Sequence, residues 1–223
     1  MEATKKLPAR FYRNTHGHEP VREWLKSLTP AERQTIGKDI QKVEFGWPLG
    51  LPVCRPLGDG LWEVRSDLPS RRTARVLFCI VVGQMILLPA RLHQENPADA
   101  QARSGHRARA QSGDGTAWRG DAAMSTQPNP HIGSSFEAFL AAEGILEACE
   151  EQAIKELVAE QITRAMQEQG LTRTAMAARM RTSRAALNRL LDPTNPSVTL
   201  QTLQKAAQVI GKRLRLELVD AAK

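Results

Sequence analysis

The chain is 223 residues long, 41% apolar, with a formal net charge of +7 and a pI near 9.7. That is room for one large domain or two small ones, and its basic balance favours polyanionic partners over acidic-surface-avoiding ones. No run approaches the roughly 18 apolar residues of a membrane span, the start MEATKKLPAR has no apolar signal core, and Cys54, Cys79 and Cys149 have no metal spacing, so a cytoplasmic protein with reduced thiols is expected.

In chain order, residues 8–13 (PARFYR) suggest a short strand. Pro20 sits well at the start of a helix that turns Val21, Trp24, Leu25 and Leu28 inward, and Thr29-Pro30 opens a second helix with Ile36, Ile40 and Val43 on one side. Together they predict a helical hairpin. His16 and His18 lie in a polar turn with no third partner, which fits solvated side chains better than metal ligands. Gly46–Gly60 is so rich in Pro and Gly that no regular element is expected there. LWEVRSD (61–67) then alternates Leu61, Glu63, Arg65 and Asp67 against Trp62, Val64 and Ser66, TARVLFCIVV (73–82) reads as a central strand, and MILL (85–88) begins a third after a turn at Gly83-Gln84. The order is strand, two helices, three antiparallel strands.

That order, with PVREWLKSL, FGWPLGLP, DGLWEVR, ARVLF and QMILL, resembles the phage-derived HigB-like toxins of the RelE/ParE superfamily over about residues 9–88. The resemblance implies a small ribonuclease that cuts messenger RNA on the ribosome without metal or cofactor. Such chemistry needs cations on the scissile phosphate together with an acid and a base, and Arg65 and Arg75 stand on adjacent strands where those cations belong. The competing reading makes them surface arginines paired with Glu63 or Asp67. The chain departs from the family after Leu88, where relatives carry a basic tail; here residues 90–123 are dominated by Ala, Arg, Gln, Gly and Asp without an apolar period, which predicts a disordered linker over 89–133. Permitted codons for Pro89–Pro97, read one nucleotide later, spell Arg-His-Gly-Phe-Ile-Lys-Lys-Thr, the missing tail. A frameshift joining a toxin gene to a downstream antitoxin gene starting at Met124 is therefore expected, with Pro89 truncating the third strand and ribonuclease activity weak or absent.

Beyond the linker, Phe136, Phe139 and Leu140 suit either a toxin surface or the chain's own helical bundle, and Glu143, Glu147, Glu150, Glu151 and Glu156 either complement the basic first half or form a solvated face. The first half is indeed the basic one: residues 1–123 hold 19 Lys and Arg against 13 Asp and Glu. A helical stripe (Ile154, Leu157, Val158, Ile162, Ala165, Met166) precedes, and another (Leu200, Leu203, Ala206, Ala207, Ile210) follows, the stretch Thr172–Leu191. That stretch reads as two short helices meeting at a corner, a helix-turn-helix. Thr172 caps the first, Thr182 or Ser183 the second, and Met176, Ala177, Met180, Ala186, Leu187 and Leu190 point inward. The corner lacks the glycine often found there.

From residue 134 to the end the chain resembles antitoxins of the HigA type with a Cro/repressor-like (XRE-family) motif, on the runs AARMRTSRAALNRLLDP and SVTLQTLQKAAQVIGKRLRLEL. The resemblance implies that Arg173, Thr182, Ser183, Arg184, Asn188 and Arg189 face operator DNA. Alternation over Lys212–Val219 suggests a terminal strand pairing two copies into a homodimer. The expected architecture is thus an α+β toxin-like domain (1–88) with an antiparallel sheet, a linker, and an all-α helix-turn-helix bundle with a C-terminal strand. Two functions follow: a DNA-binding regulator whose partners are operator DNA and a cognate or fused toxin, or an endoribonuclease acting on ribosome-bound messenger and fused to its own inhibitor.

Overall fold

Thr29, Pro30 and Glu32 fix the start of the longest N-terminal helix. The Thr29 side chain accepts from the Glu32 N–H and the Glu32 carboxylate accepts from the Thr29 N–H, a reciprocal capping box with proline in the first turn. The computed structural model describes residues 5–89, 129–192, 195 and 198–213. Within them the order is β1 (Ala9–Tyr12), α1 (Pro20–Ser27), α2 (Pro30–Gly46), β2 (Cys54–Gly58), β3 (Leu61–Asp67), β4 (Thr73–Val81), β5 (Gln84–Leu88), β6 (Ile132–Ser135), α3 (Phe136–Ala142), α4 (Leu146–Glu168), α5 (Arg173–Arg179), α6 (Arg184–Leu191) and α7 (Leu200–Val209). The architecture is α+β.

The six strands form one sheet in the order β2-β3-β4-β5-β1-β6. The expected antiparallel sheet is instead mixed, because β1 runs parallel to β5, with Ala9, Arg10 and Phe11 opposite Met85, Ile86 and Leu87. The two helices between β1 and β2 carry the chain across the sheet, from β1 near one end to β2 at the opposite edge. One further expectation is corrected. The Gly- and Pro-rich stretch does contain a strand, β2, which survives Pro56 because it lies at the sheet edge, where a missing N–H leaves no ladder bond unmade. The third expected strand, β5, ends at Leu88 directly before Pro89, and it pairs on both sides, with β4 and β1.

The other end of the sheet is closed by β6, which begins at Ile132 inside the stretch expected as linker and pairs antiparallel with β1. Glu19 secures it. Its Oε1 accepts from the Ser134 N–H at 2.6 Å and its Oε2 from the Ser134 hydroxyl at 2.7 Å. Burial pushes Glu19 up, but the hydrogen bonds from Ser134 and Arg13 outweigh it and hold its carboxyl below the usual range. Directly after β6, Ser135 caps α3 by accepting from the Ala138 N–H.

α3 then drops Phe136, Phe139 and Leu140, each at most 1% exposed, into the core made by Phe11, Val21, Leu25, Ile36 and Ile40. Of their two possible fates, these side chains pack on the first half of the chain and not on the helical bundle, and each contributes about 1.5–3 kcal/mol of burial. The long helix α4 packs along α2, and acidic residues of the second half meet cations of the first. Arg33 bonds Glu143; Lys38 reaches Glu156 at 2.7 Å; Lys42, 2% exposed, reaches Glu156 at 3.1 Å and also bonds Glu160; Lys5 reaches Glu137 at 2.6 Å. Glu151 instead pairs with Lys155 on its own helix.

α4 serves two cores. Its front half gives Cys149 to the sheet core and Ala153 and Leu157 to a small cluster with Phe45, while Ile162, Ala165 and Met166 join Met176, Ala177, Leu187 and Ala206 in a helical core. Burial pushes the Cys149 thiol up to about 12 and the Cys54 thiol to about 11, so both stay protonated. No described helix is long and apolar enough to cross a membrane. The expected strand over 212–219 falls almost wholly outside the described residues, as do residues 90–128.

Candidate nucleic-acid interfaces

Alternation along β3 and β4 divides the sheet into two faces. Val64, Ala74, Val76 and Phe78 enter the core with the side chains of α1, α2 and α3, and Trp62 and Phe78 meet Trp47 edge to face. Glu63 and Arg65 on β3 and Arg75 on β4 therefore belong to the opposite face. Register places Arg65 directly across from Arg75. Both are half-buried, and both lie near one carboxylate: Arg65 Nε is 3.9 Å from Glu63 Oε1 and Arg75 Nη1 is 3.7 Å from Glu63 Oε2. Asp67, the other expected partner, instead accepts from the Thr73 hydroxyl at 3.2 Å. Glu63 is 5% exposed, a buried carboxylate where only a surface partner of the arginines is expected.

The turn beyond this pair is anchored to the helical layer. Arg72 Nη2 and the Ser70 hydroxyl donate to Glu32 Oε1 at 2.6 and 2.7 Å, and the Arg72 guanidinium, followed by Ser70, holds the Glu32 carboxyl down at about 2. The register that sets Arg65 against Arg75 is thereby tied to the start of α2. β6 attaches at the sheet edge and α3 and α4 sit on the helical side, so these three elements lie away from the face that carries the arginine pair. Among the described residues no group of His, Cys, Asp and Glu is arranged to hold a metal ion.

Residues 23–91, from within α1 to just past β5, match the family model described as Phage derived protein Gp49-like (DUF891). That segment is similar to a phage-derived family of RelE/HigB-like toxins. No curated protein and no solved structure matches the chain. The Gp49-like segment includes Glu63, Arg65 and Arg75 but neither β1 nor β6, so the match ends short of the two strands that finish the sheet.

Outside the Gp49-like segment, α5 and α6 carry the second set of candidate residues. The Thr172 hydroxyl accepts from the Ala175 N–H at 3.2 Å, and the Ser183 hydroxyl from the Ala186 N–H at 3.1 Å, so Ser183 rather than Thr182 caps α6. Between them the Thr182 N–H reaches back to the Ala177 carbonyl at 3.0 Å and Arg181 takes φ +51°, the left-handed position usually given to glycine. Met176, Met180, Leu187 and Leu190 are buried. Arg173, Ser183, Arg184, Asn188 and Arg189 are exposed and Thr182 is half-buried. Arg173 Nη1 donates to Asn188 Oδ1 at 3.4 Å, which joins the two helices across their outer side. Arg179 and the corner residue Arg181 are exposed on the same segment.

Proposed function

We propose that the chain is a cytoplasmic, DNA-binding regulator of toxin–antitoxin type, in which α5 and α6 act as a helix-turn-helix of the XRE family and the HigA-like half holds a fused toxin-like domain. The observation that carries it is the division of α5–α6 into an inner side of Met176 and Leu187 and an outer side of Arg173, Arg184, Asn188 and Arg189. Side chains of these types at the start and outer face of a second helix suit base edges and phosphates in a major groove. Binding is as a homodimer on a palindromic operator. The test is electrophoretic mobility shift with the DNA upstream of the chain's own coding sequence. Arg184→Ala combined with Arg189→Ala is expected to weaken specific binding by roughly 30-fold to 10⁴-fold, given ~1–3 kcal/mol for each of the two base contacts. Unchanged affinity in the double variant overturns the assignment.

The second reading is an endoribonuclease fused in cis to its neutralising half. The Gp49-like match and the cross-strand pair Arg65–Arg75 favour it. Replacing both arginines by alanine is expected to abolish messenger cleavage and leave operator binding unchanged. Because β6, α3 and α4 pack away from the arginine face, restraint by these elements on this reading comes from blocking access to the ribosome.

A further inference from the structure

Two cations placed directly opposite each other on neighbouring strands repel, so the Arg65–Arg75 pair needs a compensating anion. Glu63, two residues before Arg65 on the same face and 5% exposed, is an anion within reach of both arginines. The contacts are loose for that task, however. A carboxylate kept only to anchor guanidinium groups draws them into hydrogen bonds of about 2.7–2.9 Å. Here the closest approaches are 3.9 Å from Arg65 Nε and 3.7 Å from Arg75 Nη1, and Glu63 Oε1 is buried without a hydrogen bond among the described residues. A buried acceptor left unmatched inside a charged cluster marks a position where a donor is missing.

We propose that Glu63 is the general base of RNA cleavage, receiving the 2′-hydroxyl proton of a ribonucleotide whose 3′-phosphate is held by Arg65 and Arg75; this rests on the endoribonuclease reading. The proton passes from the 2′-oxygen to Glu63 Oε1, and the 2′-oxygen attacks phosphorus. The bond from phosphorus to the 5′-oxygen breaks, leaving a 2′,3′-cyclic phosphate, and the departing 5′-oxygen takes a proton from solvent water. Glu63 then returns its proton to the hydroxide that remains. Arg65 and Arg75 neutralise the charge that builds on the phosphate oxygens. In swinging from the carboxylate to the phosphate they also uncover the base. The base that relatives are expected to carry on a basic tail thus comes from within the sheet.

Groups that face Glu63 are Arg65 on its own strand, Arg75 on β4, and on β2 its register partner Arg55; the buried Cys54 next to Arg55 lies on the core face, within electrostatic reach of Glu63. An acidic limb in the rate is the signature of the group that receives the 2′-hydroxyl proton.

The experiment uses the full chain, translating ribosomes programmed with a defined messenger, and a short fluorescein-labelled single-stranded RNA as binding probe. Glu63→Gln is expected to slow cleavage about 10²- to 10⁴-fold, to flatten the acidic limb of the pH–rate profile, and to bind the probe at least as tightly, since a negative charge beside the phosphate is gone. Glu63→Asp is expected to keep the limb, shifted to lower pH, with reduced rate. If Glu63→Gln fails to fold, the Glu63→Asp limb decides: a shifted limb supports the assignment and an unchanged rate and limb overturn it. Undiminished cleavage by Glu63→Gln overturns the role of Glu63 alone. No cleavage by the unaltered chain at any pH, with the probe still bound, overturns the endoribonuclease reading and the role of Glu63 with it.

Discussion

Phe139 on α3 meets Phe11 on β1 edge to face, with ring centroids 5.5 Å apart and planes at 90°. The two residues belong to the two halves that the sequence separates by a linker, and both rings are at most 1% exposed. The first prediction follows from that contact. Phe139→Ala is expected to destabilise the sheet domain by about 3–5 kcal/mol, read as a lower urea midpoint, and the fragment 1–89 alone is expected to lack a cooperative transition. A fragment 1–89 that unfolds as sharply as the full chain contradicts it.

Gly133 offers a second test. A Cβ there meets Glu19 Oε1 at 2.4 Å and the Phe11 carbonyl oxygen at 2.8 Å, and the latter is backbone that cannot move aside. Gly133→Ala is expected to cost about 1–3 kcal/mol and to loosen β6 from β1. Hydrogen exchange of the amides of residues 132–135 checks this, and unchanged protection speaks against it.

Glu44 predicts a pH dependence. Burial pushes its carboxyl from 4.5 to about 7, against the pull of Lys5 and the Ala9 N–H, so the folded chain holds this proton more tightly than the unfolded chain. The stability it contributes is fully present below pH 4.5 and is lost as pH rises through 7. Burial also raises Glu150, in the same direction, while Glu32, held at about 2, stays ionised throughout this window. Denaturant unfolding at pH 5 and pH 8 is expected to differ by on the order of 2 kcal/mol in favour of pH 5. Glu44→Gln, which still accepts from Ala9, is expected to remove most of that difference; a slope unaffected by the substitution refutes the assignment.

Arg181 carries the fourth prediction. A side chain at φ +51° costs roughly 1–2 kcal/mol, partly offset by the greater freedom of an unfolded glycine. Arg181→Gly is expected to raise stability of the helical unit by up to about 1 kcal/mol, measured by thermal unfolding. Its effect on DNA affinity reports separately whether this exposed arginine touches phosphate.

Much of this was legible in the chain because short-range chemistry specified it. Thr29-Pro30 with Glu32, Thr172, and Ser183 mark helix starts through bonds spanning three residues, and the alternation in β3 alone assigns Arg65 and Glu63 to one face. What was illegible depends on partners distant in sequence. The run Ile132-Gly-Ser-Ser has almost no strand character, and it becomes a strand because β1 offers an edge and Glu19 binds Ser134. Nor does any local pattern reveal that β1 lies parallel beside β5, or that a cross-strand register aligns Arg65 with Arg75 above one buried carboxylate.

The sheet edge that waits for β6 also sets a clock. The chain is made from its N-terminus, and some forty residues separate β5 from the strand and helix that cover Phe11. At about 5–20 residues per second this imposes a delay on the order of 2–10 s between emergence of the arginine-bearing hairpin and completion of its support. Throughout that interval the nascent toxin-like half has an unpaired edge and an uncovered aromatic ring. By the time it can adopt its finished shape, the segment that docks against it has already been synthesised on the same chain.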